Sequence, residues 1–241
     1  MSFKYGDHPC ESLLTEIRSI VEDVVTDRTF AVGGPLPPSF PPAKIVVKDV
    51  GRNGMPVSRE QAAVLASVAS ASPHGHQSQT VVDPELKCVD LDASLVRTMP
   101  QWDAAILNLA RDASKRMDLS TAAAATVQPR LDKLTLYDVG GAFVECLGIE
   151  NKAGIFGTLV VQLPPEYMGG ALTMRYHEQE KRFWFDGPDS ADGLYHPAFF
   201  AEVFPAMSPI ESGMRICLVY HLVRPTQGPP LSIASDDELV A

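Results

Sequence analysis

Hydrophobic positions in the first half of the chain recur with the spacing of α-helices. Between residues 10 and 26, apolar side chains follow one another at intervals of three and four residues, which predicts an amphipathic helix. Such a helix either packs on its own domain, the interpretation that we favour, or docks onto a partner. Its apolar positions are Leu13, Leu14, Ile17, Ile20, Val21, Val24 and Val25.

Further helices are predicted before residue 130. Ser58, followed three residues later by Gln61, has the pattern of a capping box, so a helix should begin there. Apolar residues recur again across residues 102–117, and the alanine-rich stretch 122–125 extends the helical region. The first half of the chain is therefore expected to be mainly helical.

The pattern changes after residue 130, where short runs of β-forming residues alternate with Gly, Pro and Asp. This alternation of strand and turn signals predicts a sandwich or a barrel. Because the helices come first and the strands second, we expect the helices to cover one outer face of the sheet. The predicted strands are residues 133–137, 142–146, 156–163, 171–176, 182–185, 198–203 and 214–223, with one earlier strand at 45–50.

Proline and glycine divide the chain further. Residues 33–42 (GGPLPPSFPP) should break regular structure and form an extended connector. His74 and His76 are assigned to a polar loop. Four parts are predicted: an N-terminal helix with its connector (1–42), a helical support region (43–130), a barrel core (131–224) and a polar tail (225–241).

Composition and charge narrow the possible functions. The 241 residues are 45% hydrophobic and carry a formal net charge of -10, which favours a globular fold and disfavours nucleic-acid binding. No apolar stretch is long enough to span a membrane, and no signal-peptide pattern opens the sequence. The four cysteines form no C-x-x-C pair. We expect an intracellular protein, cytoplasmic or nuclear, whose partner is another protein; its oligomeric state stays open.

Four stretches resemble the 2-oxoglutarate/Fe(II) dioxygenase superfamily, in particular its prolyl 4-hydroxylase-like branch. They are residues 133–141 (KLTLYDVGG), 154–164 (GIFGTLVVQLP), 169–172 with 175–177 (GGAL, RYH), and 209–222 (PIESGMRICLVYHL). The resemblance covers the C-terminal half well and the N-terminal half weakly. It implies an α+β, mainly β fold: a double-stranded β-helix, or jelly-roll barrel, buttressed by N-terminal helices.

In that family Fe(II) is held by a His-x-Asp pair on one strand and a distal His on a later strand. The His and Asp stand two residues apart because strand side chains alternate between faces. In this sequence the three positions fall on Cys146, Gly148 and Pro205. A soft thiolate suits this iron site poorly, glycine has no side chain, and proline has no donor atom. The resemblance therefore implies a barrel without its metal ligands.

Three histidines offer a way to rebuild a metal site from other strands. They are His177, His196, which we expect in a loop before its strand, and His221, near the end of the last strand. A new triad would require these side chains to converge by a coincidence of geometry, so we favour the absence of a metal site.

The family also uses an Arg near the distal ligand to bind the far carboxylate of 2-oxoglutarate. Arg215 occupies that position and should share the interior face of its strand with Cys217. A buried Arg needs compensation. Its partner is either a bound dicarboxylate, such as 2-oxoglutarate, or a protein carboxylate such as Glu145 or Glu202. Tyr137 matches a co-substrate-binding position, although a purely structural role is slightly favoured.

Three functions follow from these residues. The leading interpretation is a non-catalytic relative, a pseudoenzyme, that uses the barrel as a binding or scaffolding module. The alternative is an active Fe(II)/2-oxoglutarate-dependent hydroxylase of the prolyl hydroxylase type with a rebuilt metal site, and Fe(II) is expected only in that case. A third possibility is a different chemistry in the same pocket, with Cys146 as nucleophile and His177 or His196 as base.

Overall fold

The structure, a computed structural model, describes residues 29–71, 87–143 and 154–224, together with the backbone of 74–76 and 79–81. The predicted helix at 10–26, the predicted metal-ligand positions Cys146 and Gly148, and the tail 225–241 lie outside these residues. None of the described helices has the length and apolar composition that a bilayer crossing requires.

The described chain contains three α-helices, seventeen short strands and two short 3-10 helices, at Ala93–Leu95 and Pro188–Ala191. The helices are α1 (Arg59–Ser67), α2 (Pro100–Arg116) and α3 (Thr121–Thr126). The strands are β1 (Ala31–Pro35), β2 (Ile45–Val47), β3 (Gly51–Asn53), β4 (Ser70–Ala71), β5 (His74–His76), β6 (Gln79–Val81), β7 (Cys88–Asp92), β8 (Val96–Arg97), β9 (Gln128–Tyr137), β10 (Ile155–Leu163), β11 (Tyr167–Gly169), β12 (Leu172–Tyr176), β13 (Gln179–Phe183), β14 (Tyr195–Phe200), β15 (Phe204–Met207), β16 (Ile210–Gly213) and β17 (Arg215–Val223).

A seven-stranded antiparallel sheet, the main sheet, carries most of these strands in the order β1-β14-β10-β17-β9-β7-β4. Two smaller antiparallel sheets, β13-β12-β15 and β11-β16, form a second layer, and a bridge between Phe143 and Met207 ties the β9–β10 connection to it. This architecture confirms the predicted fold class: a mainly β jelly-roll of antiparallel sheets with helices outside.

The outer face of the main sheet is apolar and packs on the helices. Along β17 the outward residues Ile216, Leu218, Tyr220 and Leu222 are all buried. The Trp102 indole of α2 donates a 2.9 Å hydrogen bond to the Tyr220 hydroxyl. Each buried Leu or Ile contributes roughly 1.5–3 kcal/mol. This face therefore supplies much of the core, as the succession of helices and strands predicts.

The inner face of the same sheet is polar at its centre. Cys217 on β17 lies opposite Thr135 on β9, which lies opposite Asp90 on β7, and on the other side Cys217 faces Gln162 on β10. The Thr135 hydroxyl donates to the Asp90 carboxylate at 2.8 Å. Polar groups inside a barrel must be satisfied or serve a ligand, so the inner face is where a site is expected.

Several local predictions are confirmed. The Ser58 hydroxyl accepts from the Gln61 backbone N–H at 3.2 Å, and the Gln61 side chain accepts from the Ser58 N–H at 3.0 Å, so α1 begins with a capping box. The helix predicted over 102–117 is α2. The described strands predicted after residue 130 appear as β9, β10, β12, β13, β14 and β17 with shifted ends.

Other predictions are wrong because strand pairing is not local. The stretch expected to be an extended connector contains Gly33, Gly34 and Pro35, which belong to β1 at the edge of the main sheet. The region 43–130, expected to be a helical support with one short strand at 45–50, contributes β7 and β4 to the same sheet. The backbone at His74–His76 pairs with β6 and is not a loop. The main sheet therefore draws strands from well outside 131–224.

Candidate functional site

Arg215 begins β17 on the inner face of the main sheet. It lies opposite Tyr137, which in turn lies opposite Cys88. Its guanidinium reaches the second layer, where it contacts Met207 and the carbonyl of Gly170. Only 2% of the residue is exposed. The side chain thus points into the barrel, the orientation that the family resemblance implies for this face of the strand.

Within the described residues, the contacts of Arg215 provide no counter-ion for its charge. Its Nη1 donates to the Gly170 carbonyl at 3.4 Å and lies 2.7 Å from the Met207 sulfur. Its Nε is buried without a hydrogen-bond partner. In the part of the chain that the structure describes, no carboxylate forms an ion pair with Arg215. A thioether is a weak acceptor, so the described residues leave the guanidinium largely uncompensated.

An aromatic ring lies beside this charge. The guanidinium carbon lies 5.8 Å from the centre of the Tyr167 ring, within the range of a cation–π contact. The Tyr167 hydroxyl donates to the Gln162 side chain at 2.6 Å, and the Gln162 amide donates to the Phe185 carbonyl at 2.9 Å. Tyr167 is therefore held against Arg215 by a buried hydrogen-bonded chain.

The protonation states in the site follow from burial and from these neighbours. Burial lowers the pKa of Arg215, but the Cys217, Tyr167 and Tyr137 groups more than offset this, so its pKa lies above the ordinary value. Burial raises the pKa of Tyr137 and of Tyr167, so both phenols stay protonated. The site thus contains a fixed cation beside two neutral phenols.

The position predicted for the distal iron ligand is Pro205, on β15. It shares a strand face with Met207, whose sulfur contacts Arg215, and it lies opposite the buried Met174. The ring therefore faces the interior and presents no donor atom there. No group of three or more His, Cys, Asp or Glu that could hold a metal occurs among the described residues. The described residues do not fit an Fe(II) site.

The three histidines lie in separate places. His177 is exposed in the turn between β12 and β13, with a φ of 49° and its ring against that of Tyr176. His196 is buried on β14 rather than in a loop, and it meets Arg116 of α2 on the outer face of the main sheet. His221 lies on the inner face and pairs with Asp132 at 3.0 Å, about 20 Å along the strand from Arg215. They do not converge on one site.

Two carboxylates, Glu145 and Glu202, were considered as partners of Arg215, and the structure describes only the second. Glu145 lies outside the described residues. Glu202 follows β14 and lines a surface cleft with Arg175, Tyr176 and His177. No ion pair joins Glu202 to Arg215, so within the described chain the internal-pair hypothesis has no partner for the guanidinium.

Sequence reasoning missed Tyr167 and Met207. Both reach Arg215 from the second layer, across more than one strand connection. Tyr167 follows a Pro-Pro pair on a three-residue strand, too short to show any periodicity. Its position after a turn and before Gly169-Gly170, whose backbones both have positive φ, is the only local signal.

No protein-family model and no curated protein matches the chain. Among solved structures, it is similar to a prolyl-4-hydroxylase from Pseudomonas putida (TM-score 0.48, 15% identity, 86% of this chain and 98% of that one). It is also similar to a Trichoplax adhaerens prolyl hydroxylase in complex with a hypoxia inducible factor oxygen degradation domain peptide fragment. The TM-score is 0.47 at 11% identity, and the match covers 90% of this chain and 94% of that one.

A third similar structure is an oxidoreductase of the 2OG-Fe(II) oxygenase family from Burkholderia pseudomallei (TM-score 0.42, 12% identity, 92% of this chain and 94% of that one). Two of these three similar structures are thus prolyl hydroxylases, and the third is a 2OG-Fe(II) oxygenase family protein.

Proposed function

We propose that this protein is a non-catalytic, jelly-roll binding module that holds a small carboxylate ligand at Arg215 without iron. The observation that supports this most is the buried Arg215 guanidinium, whose Nε has no hydrogen-bond partner and whose charge has no carboxylate partner in the described chain. The ligand class is a dicarboxylate of the size of 2-oxoglutarate.

The energetics favour a ligand over an empty site. An uncompensated buried charge costs several kcal/mol. A carboxylate that accepts two hydrogen bonds from the guanidinium would offset this cost, because the planar fork of Arg matches a carboxylate in both geometry and charge. The Tyr167 ring beside the guanidinium and the neighbouring Tyr137 phenol would complete the carboxylate's surroundings.

The iron half of the site lacks comparable support. Pro205 brings a donor-free ring to the position of the distal ligand, and Gly148 contributes no side chain. Without a metal to chelate its other end, 2-oxoglutarate has no advantage over other dicarboxylates, and no turnover follows. The ligand-bound barrel then serves as a scaffold for a protein partner.

A thermal-shift comparison tests the proposal. Wild-type protein and Arg215→Met, both in chelator, are heated with and without 2-oxoglutarate or succinate. Binding to the native state alone raises the melting temperature, so wild type should respond and Arg215→Met should not. Arg182→Met, which removes an exposed Arg on β13, serves as the matched control and should respond like wild type.

An assay for turnover separates the proposal from an active hydroxylase. With Fe(II) and 2-oxoglutarate, succinate formation should stay at the level of a protein-free control. Iron-dependent succinate would overturn the non-catalytic proposal. If no dicarboxylate changes the melting temperature of the wild-type protein, the proposed ligand at Arg215 would be wrong.

A further inference from the structure

A second cleft lies on the opposite, outer face of the main sheet, between α1 and the ends of β7 and β9. It has a volume of about 480 Å³, within the size range of small-molecule sites. Most of its wall is apolar, and part of that wall is open to solvent, since Val139 is 41% exposed. The lining residues are Arg59, Ala62, Ala63, Ala66, Lys87, Val89, Leu136, Asp138, Val139, Gly213 and Met214.

Three of these lining residues are charged: Arg59, Lys87 and Asp138. Arg59 and Lys87 are exposed cations, and neither belongs to an ion pair within the described chain. The Lys87 side chain lies along the turn at Gly140, and its carbonyl accepts from the Asp138 N–H at 3.0 Å. The Asp138 carboxylate accepts from the Val139 N–H at 2.8 Å. The cleft therefore joins an apolar wall to a net positive charge.

We propose that this cleft binds an alkyl carboxylate, with the chain against the alanine face of α1 and the carboxylate between Arg59 and Lys87. Arg59 and Lys87 form no ion pair within the described chain, and their charges are complementary to an anionic head group. The site is distinct from Arg215: Leu136 and Met214 face the cleft, whereas their chain neighbours Tyr137 and Arg215 lie on the inner face.

The wall favours an alkyl chain over a peptide. Apart from the three charged residues, the lining side chains are those of Ala, Val, Leu and Met, with one glycine. A peptide laid against them would leave backbone N–H and C=O groups without side-chain partners, and unsatisfied polar groups are costly. An alkyl chain carries no such groups, and burying it is favourable along its whole length.

Dodecanoate below its micelle concentration is the probe, titrated into the whole protein by calorimetry. The double variant Arg59→Gln/Lys87→Gln should bind it at least about tenfold more weakly, whereas Lys48→Gln/Arg97→Gln, with the same charge change at exposed positions away from the cleft, should bind like wild type. Ala66→Phe should block the cleft. Arg215→Met should bind dodecanoate normally, which separates this site from the inner one.

Each other outcome counts against the proposal. No saturable binding of dodecanoate, or equal weakening in the two double variants, would overturn it. Tighter binding of a leucine-rich tetrapeptide with a free carboxyl end would assign the cleft to a protein partner. A dimer that Ala66→Phe dissociates, measured by light scattering, would assign it to a second copy of the chain.

Discussion

At the scale of single residues, Arg215 imposes the strongest constraint on function. Its guanidinium is buried between two layers of sheet, and the described chain offers it a carbonyl, a thioether and an aromatic ring in place of a carboxylate. A cation in such surroundings is stabilised mainly by what binds it. The stability of the ligand-free protein therefore depends on whether a partner exists inside the chain.

Replacing Arg215 with Met removes the charge and keeps much of the volume. In ligand-free protein we expect Arg215→Met to be as stable as wild type or more so, because no carboxylate loses its partner. Urea unfolding at neutral pH measures this, with Arg182→Met as the exposed control. A loss of roughly 3–5 kcal/mol would instead indicate a stranded internal carboxylate.

His196 predicts a pH dependence of stability. Burial, followed by the nearby Arg116 charge, lowers its pKa to about 4, whereas an unfolded His titrates near 6.5. The unfolded state therefore takes up the proton first as the pH falls. Neutral His196 contributes on the order of 3 kcal/mol to the free energy of unfolding. This contribution is complete above about pH 6.5 and is lost progressively as the pH falls from about 6.5 to about 4.

The measurement is urea unfolding from pH 7.5 to 4.5 for wild type, His196→Asn and the exposed control His177→Asn. Carboxylates titrate in all three proteins, so the difference between proteins isolates the histidine. His196→Asn should lose stability less steeply with falling pH than the other two. Equal slopes in all three would show that His196 does not titrate in this window.

Residue-level reasoning from the sequence had a clear limit. Alternation along residues 214–223 was enough to place Arg215 on the same strand face as Cys217, because strand periodicity is local. That this face is the interior was implied only by the family resemblance. Tyr167 and Met207 could not be predicted, since their contacts with Arg215 depend on how the second layer folds over the main sheet. The assignment of Arg215 and Tyr137 to a ligand remains a prediction.

At the scale of elements, too, features that local contacts determine could be predicted, whereas features that long-range pairing determines could not. The start of α1 could be predicted because Ser58 and Gln61 satisfy each other's backbone groups within one turn. Strand β1 could not, because Gly33, Gly34 and Pro35 favour a break in regular structure. As an edge strand, β1 pairs only with β14, and edge positions tolerate glycine and proline.

Strand β7 illustrates the other cause of error. Residues 88–92 contain Cys-Val-Asp-Leu-Asp, a weak strand signal next to predicted helices. The strand forms because it pairs with β9, some forty-five residues later, and because Asp90 accepts hydrogen bonds from Lys133 and Thr135 there. A partner so distant in sequence leaves no local periodicity. For this reason the predicted barrel core, which begins at residue 131, did not include β7.

The contact between α2 and β17 gives a prediction at this scale. Trp102→Phe removes the donor to the buried Tyr220 hydroxyl and leaves that hydroxyl unsatisfied, so we expect a loss of about 1–3 kcal/mol beyond the smaller ring's lost packing. Tyr220→Phe in the same background should cost little more, because it removes the orphaned hydroxyl. Strictly additive losses in the double-mutant cycle would contradict a direct hydrogen bond.

At the scale of the whole molecule, the main sheet separates two environments. Its outer face, where Ile216, Leu218 and Tyr220 are buried and Trp102 of α2 donates a hydrogen bond to Tyr220, holds the fold together. Its inner face carries Thr135, Gln162 and Arg215 into the space between the layers. Burying polar groups is unfavourable unless they are paired. Thr135 and Gln162 are hydrogen-bonded to Asp90 and to the Phe185 carbonyl, whereas the Nε of Arg215 has no hydrogen-bond partner. Arg215 is therefore the interior group on which the proposed function depends.

The outer face is not packed along its whole length, because the cleft beside α1 lies on it. Because Met214 faces this cleft and the adjacent Arg215 faces the interior, the two proposed sites lie back to back across one sheet. They share strands but no lining side chains, so each can be removed by substitution without deleting the other.

The most direct test of a carboxylate site without iron is the affinity for 2-oxoglutarate, measured by calorimetry on wild-type protein in chelator and again with Fe(II) under anaerobic conditions. We expect one binding site with the same affinity in both, and none in Arg215→Met. Binding that appears only with Fe(II), or that persists unchanged in Arg215→Met, would contradict the proposed role of Arg215 and favour an intact metal centre or a different pocket.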